Sequence, residues 1–222
     1  MAKKWLIYIA LWIYQNIISI FMTNKTKLFF LKIIIHLSAF LPLANLYYQG
    51  IADDLGVDPV ETVINFTGIG ALNLLLITLT ITPLANVLKQ GYLVQTRRVL
   101  GLYAFVYALC HLVNFIAFEL QFDGALFISE VIKRPYISVG MVAFLLLSAL
   151  AITSLNSLKR KMGNSWQRLH NLSYVIIILV IIHFYWSVKS SLISPILYFV
   201  LAAILLLFRY KKIKRIVLSI LA

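Results

Sequence analysis

Six apolar runs dominate the chain: Leu28 to Tyr48, Phe66 to Leu88, Val99 to Phe118, Ile137 to Leu155, Leu169 to Val188 and Leu192 to Phe208. Each approaches the ~20 residues that a helix needs to cross the hydrocarbon core of a bilayer. In lipid every backbone N–H and C=O must be paired within the protein, so such a run is a helix or a strand of a closed barrel. Barrel strands are about ten residues long and alternate in polarity; these runs are longer and continuously apolar. The expected fold class is therefore all-α, a polytopic transmembrane helical bundle with six core helices. With 62% hydrophobic and 12% charged residues in a chain of 222, the loops are short and a separate soluble catalytic domain has no room. No GxGxxG, GxxxxGK[ST] or HExxH pattern occurs. The single Cys110 forms neither an internal disulfide nor a multi-cysteine metal site.

The net charge of +13 reads as membrane topology rather than nucleic-acid binding, because the charges fall between the apolar runs. Loops on the cytoplasmic side should be rich in Lys and Arg. With the start of the Leu28 run inside, that side holds Lys25, Lys27, Lys32, Lys89, Arg97, Arg98, Lys159, Arg160, Lys161, Arg168, Arg209, Lys211, Lys212, Lys214 and Arg215, and no acid. The other side receives Asp53, Asp54, Asp58, Glu61, Glu119, Asp123 and Glu130 against only Lys133, Arg134 and Lys189. Both ends of the six-helix core are thus expected in the cytoplasm. A further run, Trp5 to Met22, fits less well: a seventh span would put Lys3 and Lys4 outside, and Gln15 and Asn16 interrupt it. Residues 1–24 are read as an N-terminal hydrophobic extension and 25–222 as one membrane domain. Pro42, Pro83, Pro135 and Pro195 are expected near span ends, where helices tolerate proline.

Four histidines, His36, His111, His170 and His183, lie in or at the ends of these spans. A charged group at bilayer depth costs about 2.5–3.5 kcal/mol on insertion scales. A neutral imidazole costs less, and a helix-to-helix hydrogen bond is its ordinary explanation. Depth argues for more. His111 follows Arg97 by 14 residues and His183 follows His170 by 13, separations of about 21 Å and 20 Å along a helix. If Arg97 and His170 mark the inner boundary, His111 and His183 reach one level in the outer half of the bilayer. Two imidazoles from facing helices at one depth can ligate a b-type haem axially. Without a CxxCH motif that haem is non-covalent. On an ideal continuous helix His170 and His183 would point about 140° apart, so a π-bulge, a tilt or a loose helix start must intervene.

At the inner level lie QTRR (95 to 98) and WQRLH (166 to 170). A guanidinium does not ordinarily ligate iron, but it clamps propionates or a flavin phosphate bidentately. Arg97, Arg98 and Arg168, with Trp166 and Gly101, are therefore cofactor-binding candidates; positive-inside anchoring is the plainer reading of the arginines. The inner level is left open between a second haem on His170, a flavin and a quinone. Gly68, Gly70 and Gly101 would admit a neighbouring helix or a flat macrocycle. His36 is the weakest ligand candidate and stays outside the metal set of His111, His183 and His170.

The stretches FTGIGALNLLLITLTITPL (66 to 84), QTRRVLGLYAFVYALCH (95 to 111), RPY (134 to 136), WQRLHNLSYVIIILVIIHFYWSVK (166 to 189) and RYKKIKR (209 to 215) closely resemble the MsrQ family. These are haem-binding membrane subunits of the bacterial periplasmic methionine sulfoxide reductase system, in the ferric-reductase-like transmembrane superfamily. The resemblance covers nearly everything from Met22 onward. It implies a multi-pass inner-membrane cytochrome b that takes electrons from the quinone pool or from cytoplasmic reduced flavin. These pass to MsrP, a periplasmic molybdopterin reductase that repairs oxidised methionines. By resemblance His111, His170 and His183 are haem-associated, and FMN is a family cofactor beside haem b, present once or twice. Superfamily members with two haems carry histidine pairs on both helices, whereas the inner partner position here is Arg97. Alternatives are a ferric reductase membrane subunit, which would need a flavin domain from a partner, and a histidine-using transporter. The latter would be expected to show a mid-span Gly/Pro break and a buried carboxylate. The acidic loops Ile51 to Glu61 and Glu119 to Glu130 are the expected docking face for the periplasmic partner.

Overall fold

The computed structural model describes residues 23–188, 193–210 and 214. The expected N-terminal extension with its Trp5 to Met22 run, together with Lys189, Lys211, Lys212 and Arg215, lies outside them. The described residues form helices joined by turns, without strands: α1 Asn24–Ile51, α2 Pro59–Val87, a 3₁₀ turn Gly91–Thr96, α3 Arg97–Asn114, a π-helical turn Phe115–Glu119, α4 Gly124–Lys133, α5 Pro135–Ile152, α6 Asn156–Met162, α7 Asn164–His170, α8 Ser173–Ser187 and α9 Ile193–Leu207. Five segments are long and apolar enough to cross a membrane: α1, α2, Gly91–Glu119, α5 and Asn164–Ser187. The shorter apolar α9 follows them. The chain is a polytopic membrane bundle.

Local chemistry sets the helix ends. Thr23 caps α1 by accepting from the Thr26 amide at 3.3 Å, and Asp58 caps α2 through Glu61 N–H at 2.8 Å, just before Pro59 at the first helical position. Both helices therefore begin before the apolar stretches they carry, since hydropathy measures the bilayer and caps measure the helix. One consequence corrects the sequence reading: Pro42 lies well inside the continuous helix α1, whereas Pro83 stands in the last turns of α2, near its end as expected. Membrane helices tolerate such prolines where neighbouring groups re-satisfy the freed backbone. Hydroxyls inside the spans return their hydrogen to their own helix, as Thr78 does to Leu74 O at 2.7 Å and Ser148 to Phe144 O at 2.7 Å.

The core forms where α2, α3, α5, α8 and α9 meet. Leu72, Leu75, Leu76 and Leu79 fall at helical spacing on one face of α2 and pack with Ala104, Leu147, Ile176, Ile177 and Leu205. The tightest pairings are two antiparallel hairpins, α2 with α3 and α5 with α8. α1 leans on the first hairpin through Leu43 and Leu46, which meet Val63, Ala71 and Tyr107. The outward faces stay apolar, with Phe29, Ile34, Leu145 and Leu197 all at 60–64% exposure, a surface suited to lipid. Between Glu119 and Glu130, expected as loop, the chain forms most of α4, capped by Asp123 through Leu126 N–H at 2.9 Å. Its exposed Leu126, Ile128 and Ile132 suit a helix lying along the membrane interface. At the opposite end Gly163 joins α6 to α7 with φ +52°, a conformation that L side chains disfavour.

Gly70 shows how closely the first hairpin is packed. A Cβ there would collide with the Tyr107 ring, whose hydroxyl donates to Ala39 O at 2.8 Å and ties α3 to α1. Gly70→Ala should destabilise the protein by about 1–3 kcal/mol, read as a lowered thermal midpoint in detergent. Gly91→Ala, where a Cβ meets nothing within 4 Å, should leave the midpoint near wild type.

Candidate haem site

His111 and His183 come from the two hairpins, α3 of the first and α8 of the second, and their rings are close neighbours in an edge-on arrangement. The centroids are 6.2 Å apart and the planes 81° to one another. His111 Nδ1 donates to Ile64 O at 2.9 Å, and His183 Nδ1 donates to Tyr136 O at 2.7 Å. A carbonyl only accepts, so the proton sits on Nδ1 of each ring and Nε2 keeps its lone pair. Neither Nε2 makes a hydrogen bond among the described residues. Backbone carbonyls that orient imidazoles in this way are the usual outer shell of metal-ligating histidines.

Glycine makes both bonds feasible. The Ile64 carbonyl belongs to the turn of α2 that ends at Gly68, where a Cβ would lie 2.9 Å from His111 Nδ1. The Tyr136 carbonyl stands in the same relation to Gly140 of α5, where a Cβ would lie 2.8 Å from His183 Nδ1. Each histidine lies over a helix turn that only glycine leaves open. The two carbonyl bonds span the same sequence separation, 47 residues. The sequence reading named Gly68 but missed Gly140; its signal was the recurrence of one Gly-to-His spacing in both hairpins.

The site fits a haem iron between the rings. Two metal–imidazole bonds of about 2 Å each, together with the distance from each ring centre to its own Nε2, add up to about the centroid separation of 6.2 Å. Among the described residues no group of three or more His, Cys, Asp or Glu could hold a metal. The pair therefore suits a metal whose remaining ligands come with it, as a porphyrin provides.

The structure does not bring His170 to this pair. It ends α7, and Asn171 and Leu172 interrupt the helix before α8 begins at Ser173. That break removes the angular conflict of a continuous helix. His170 stacks on Trp166 at 4.0 Å and 26°, with Lys159 Nζ 4.6 Å from the indole centroid. Thr153 Oγ1 gives its own hydrogen to Ala149 O at 2.7 Å, so it accepts from His170 Nε2 at 3.1 Å. Trp166 Nε1 donates to Thr153 O at 2.8 Å. His170 thus carries its proton on Nε2 and exposes Nδ1 as its lone-pair nitrogen.

The remaining candidates also gather at this basic end. Arg97 is half-buried, and its Nε has no partner. It stands within electrostatic reach of His170 and of Arg209. Arg98 is exposed and donates to Asn156 Oδ1 at 2.8 Å, joining α3 to α6. Arg168 is exposed and makes no hydrogen bond or ion pair among the described residues. At Gly101 a Cβ would meet nothing within 4 Å. His36 shares a hydrogen bond of 2.9 Å with the Tyr103 hydroxyl, a helix-to-helix contact.

Residues 66–181 match the family of ferric reductase like transmembrane components. The chain is 46% identical over 186 residues to the protein-methionine-sulfoxide reductase heme-binding subunit MsrQ of Cronobacter sakazakii, covering 83% of this chain and 93% of the relative. It is 47% identical over 186 residues to that of Pectobacterium carotovorum, covering 83% and 94%. For the Klebsiella pneumoniae protein of the same name the figures are 43% over 190 residues, 85% and 94%.

Loss of the clearance over either helix turn should displace the ring above it. Gly68→Ala and Gly140→Ala should each weaken haem retention by about tenfold or more, the range seen when outer-shell partners of metal ligands are removed. The measurement is haem per mole of purified protein during dilution; wild-type retention in both would show that the glycines do not position the rings.

Proposed function

Because the chain belongs to the MsrQ family, within the ferric-reductase-like transmembrane group, we propose that it is a cytochrome b of the bacterial inner membrane. It carries electrons from the quinone pool or cytoplasmic reduced flavin to a periplasmic molybdopterin methionine sulfoxide reductase of the MsrP kind, in support of protein repair. The observation that carries this reading is the pair of neighbouring imidazoles, each fixed through Nδ1 to a different helix. His111 and His183 would hold one haem b. When bound, the haem supplies a one-electron iron centre inside the bundle; the chain's own task is to hold two neutral imidazoles toward it and to exclude water with apolar walls.

Residues 25–222 act as one haem-binding membrane domain, with the basic end in the cytoplasm. That end receives electrons. Arg97 is the strongest of the candidates there for holding an anionic cofactor, FMN included, because its guanidinium is unbonded, whereas Arg98 is bonded to Asn156. Arg168 and Trp166 flank the entry, with Trp166 closing one face of His170. His170 is assigned to this entry level rather than to the His111–His183 pair. A ferric reductase membrane subunit is the second reading, favoured by the family match over residues 66–181. A gene deletion assayed for both methionine sulfoxide and ferric reduction separates the two.

The acidic end receives the partner. Asp58 and Asp123 are occupied as helix caps, Glu61 accepts from Asn65 Nδ2 at 3.3 Å and Glu130 pairs with Arg134 at 2.5 Å, so the exposed Asp53, Asp54 and Glu119 carry the docking charge. Replacing these three with their amides should slow electron delivery to the partner at low salt and converge on the wild-type rate as screening shortens to a few ångströms near 1 M. Equal rates at every ionic strength would remove docking from this face. For the haem itself, purified protein should show a Soret band and a sharp reduced α-band. Both should be lost in His111→Ala and in His183→Ala, and unchanged spectra would refute the ligand assignment.

A further inference from the structure

All seven acidic residues of this chain are expected on one side of the membrane, yet a buried cation sits at the other end. Arg209, just beyond α9, is only 7% exposed. Its Nη1 donates to the Tyr174 hydroxyl at 3.0 Å and its Nη2 to Leu79 O at 2.5 Å, stapling the tail to α8 and α2. Its Nε is buried and has no partner among the described residues. Arg97 lies within electrostatic reach of both Arg209 and Tyr174, and its own Nε is likewise buried and unpartnered. Two guanidiniums thus share one neighbourhood. The ion pair found among the described residues, Arg134 with Glu130, belongs to the acidic end. Buried charges without a counter-charge are costly, and adjacent like charges add to that cost.

A third orphan belongs to the same level. In the antiparallel α2–α3 pair Gly68 meets His111 and Gly70 meets Tyr107, so Thr82 falls level with Thr96 and Arg97. It also lies one turn beyond Leu79, whose carbonyl Arg209 holds. Thr82 Oγ1 is buried and unpartnered. Among the described residues four buried side-chain polar atoms lack a partner, and three of them, Thr82 Oγ1, Arg97 Nε and Arg209 Nε, belong to this level. All three can donate a hydrogen bond.

The geometry points to an oxyanion site for a phosphomonoester, formed by Arg97, Arg209 and Thr82 at the basic end of the bundle. A phosphomonoester carries about −1.5 to −2 charge near pH 7 and three acceptor oxygens. It therefore answers two guanidiniums and three donors, where a carboxylate would neutralise only one charge. Guanidiniums are well matched to phosphate in shape and hydration. This assignment deepens the reading of the basic end as the entry level and replaces Arg98 and Arg168 with Arg209 and Thr82 as the partners of Arg97. It does not depend on which residues ligate haem. The phosphate can come from a soluble small molecule or from a lipid headgroup.

FMN and riboflavin differ by the phosphomonoester alone, which makes them suitable probes. The full chain, with haem bound and in phosphatidylcholine nanodiscs, is titrated with each while flavin fluorescence is followed. FMN should bind saturably and about tenfold or more tightly than riboflavin, and Arg97→Gln and Thr82→Val should each remove most of that preference. Arg97 makes no hydrogen bond among the described residues, so its removal spares the staples made by Arg209, and an intact Soret band reports a folded bundle. If a lipid headgroup is the occupant, phosphatidic acid added to the nanodiscs should be retained by the wild type, compete with FMN, and be lost in Arg97→Gln. The proposal is overturned if FMN and riboflavin bind alike or not at all while phosphatidic acid retention is the same in wild type and Arg97→Gln. Failure of the haem reading would appear separately, as a missing Soret band in the wild type.

Discussion

Two hydrogen bonds from imidazole Nδ1 to helix carbonyls, each made over a glycine, organise the candidate haem site of this bundle. A histidine in a membrane helix would ordinarily seek any polar partner, because an unsatisfied ring nitrogen in hydrocarbon is costly. Here the carbonyls of Ile64 and Tyr136 meet that need with Nδ1, which leaves Nε2 of both rings as the donor atom. The same contacts decide which helices pair. His111 can reach Ile64 only if α3 lies close against α2, and His183 can reach Tyr136 only if α5 and α8 do the same. The two closest helix pairings in the bundle are those two.

The separation of charge along the bundle axis has a structural counterpart. At the acidic end Asp58 and Asp123 serve as caps and Glu130 is in an ion pair, while Asp53, Asp54 and Glu119 stay exposed. At the basic end no Asp or Glu stands among the described residues. Exposed lysines and arginines there need none, since solvent and lipid headgroups screen them. Arg209 cannot use that remedy, because burial takes it from both. Its bonds to Tyr174 and Leu79 O satisfy its terminal nitrogens but supply no negative charge. The positive-inside pattern is thus more than an address for topology; it deprives the interior of one end of counter-ions.

Much of this was legible in the residues. Helical class followed from run length, with five of the six expected spans long enough to cross and α9 shorter, and the nearness of His111 and His183 followed from rise per residue, because both are counted from polar landmarks on parallel helices. What was hidden depends on contacts between elements. Pro42 looks like a helix end until the cap at Thr23 and the run to Ile51 show where the helix stops. The angle between His170 and His183 is contradictory until the chain breaks at Asn171. Gly140 has no local signature, since its meaning comes from a ring 43 positions later. Arg209 reads as one more basic tail residue, and only its insertion between α2 and α8 separates it from the solvated charges around it.

The likeness of the two hairpins limits what the basic end can do. Each presents a carbonyl, a glycine one turn later and a histidine at the same spacing, so the neighbouring imidazoles are products of one plan used twice. Thirteen residues before His183 stands His170; thirteen before His111 stands Arg98, with its side chain bonded to Asn156. The plan therefore fails to repeat at the lower level, where one imidazole faces a region of guanidiniums instead of a second imidazole. His170 moreover donates a hydrogen bond from Nε2 to Thr153 Oγ1 and stacks one ring face on Trp166. Among the described residues, two neighbouring imidazoles that both keep Nε2 unprotonated occur only in the acidic half of the bundle. In the basic half, the buried unpartnered atoms among the described residues, those of Thr82, Arg97 and Arg209, can all donate, which favours an acceptor group there.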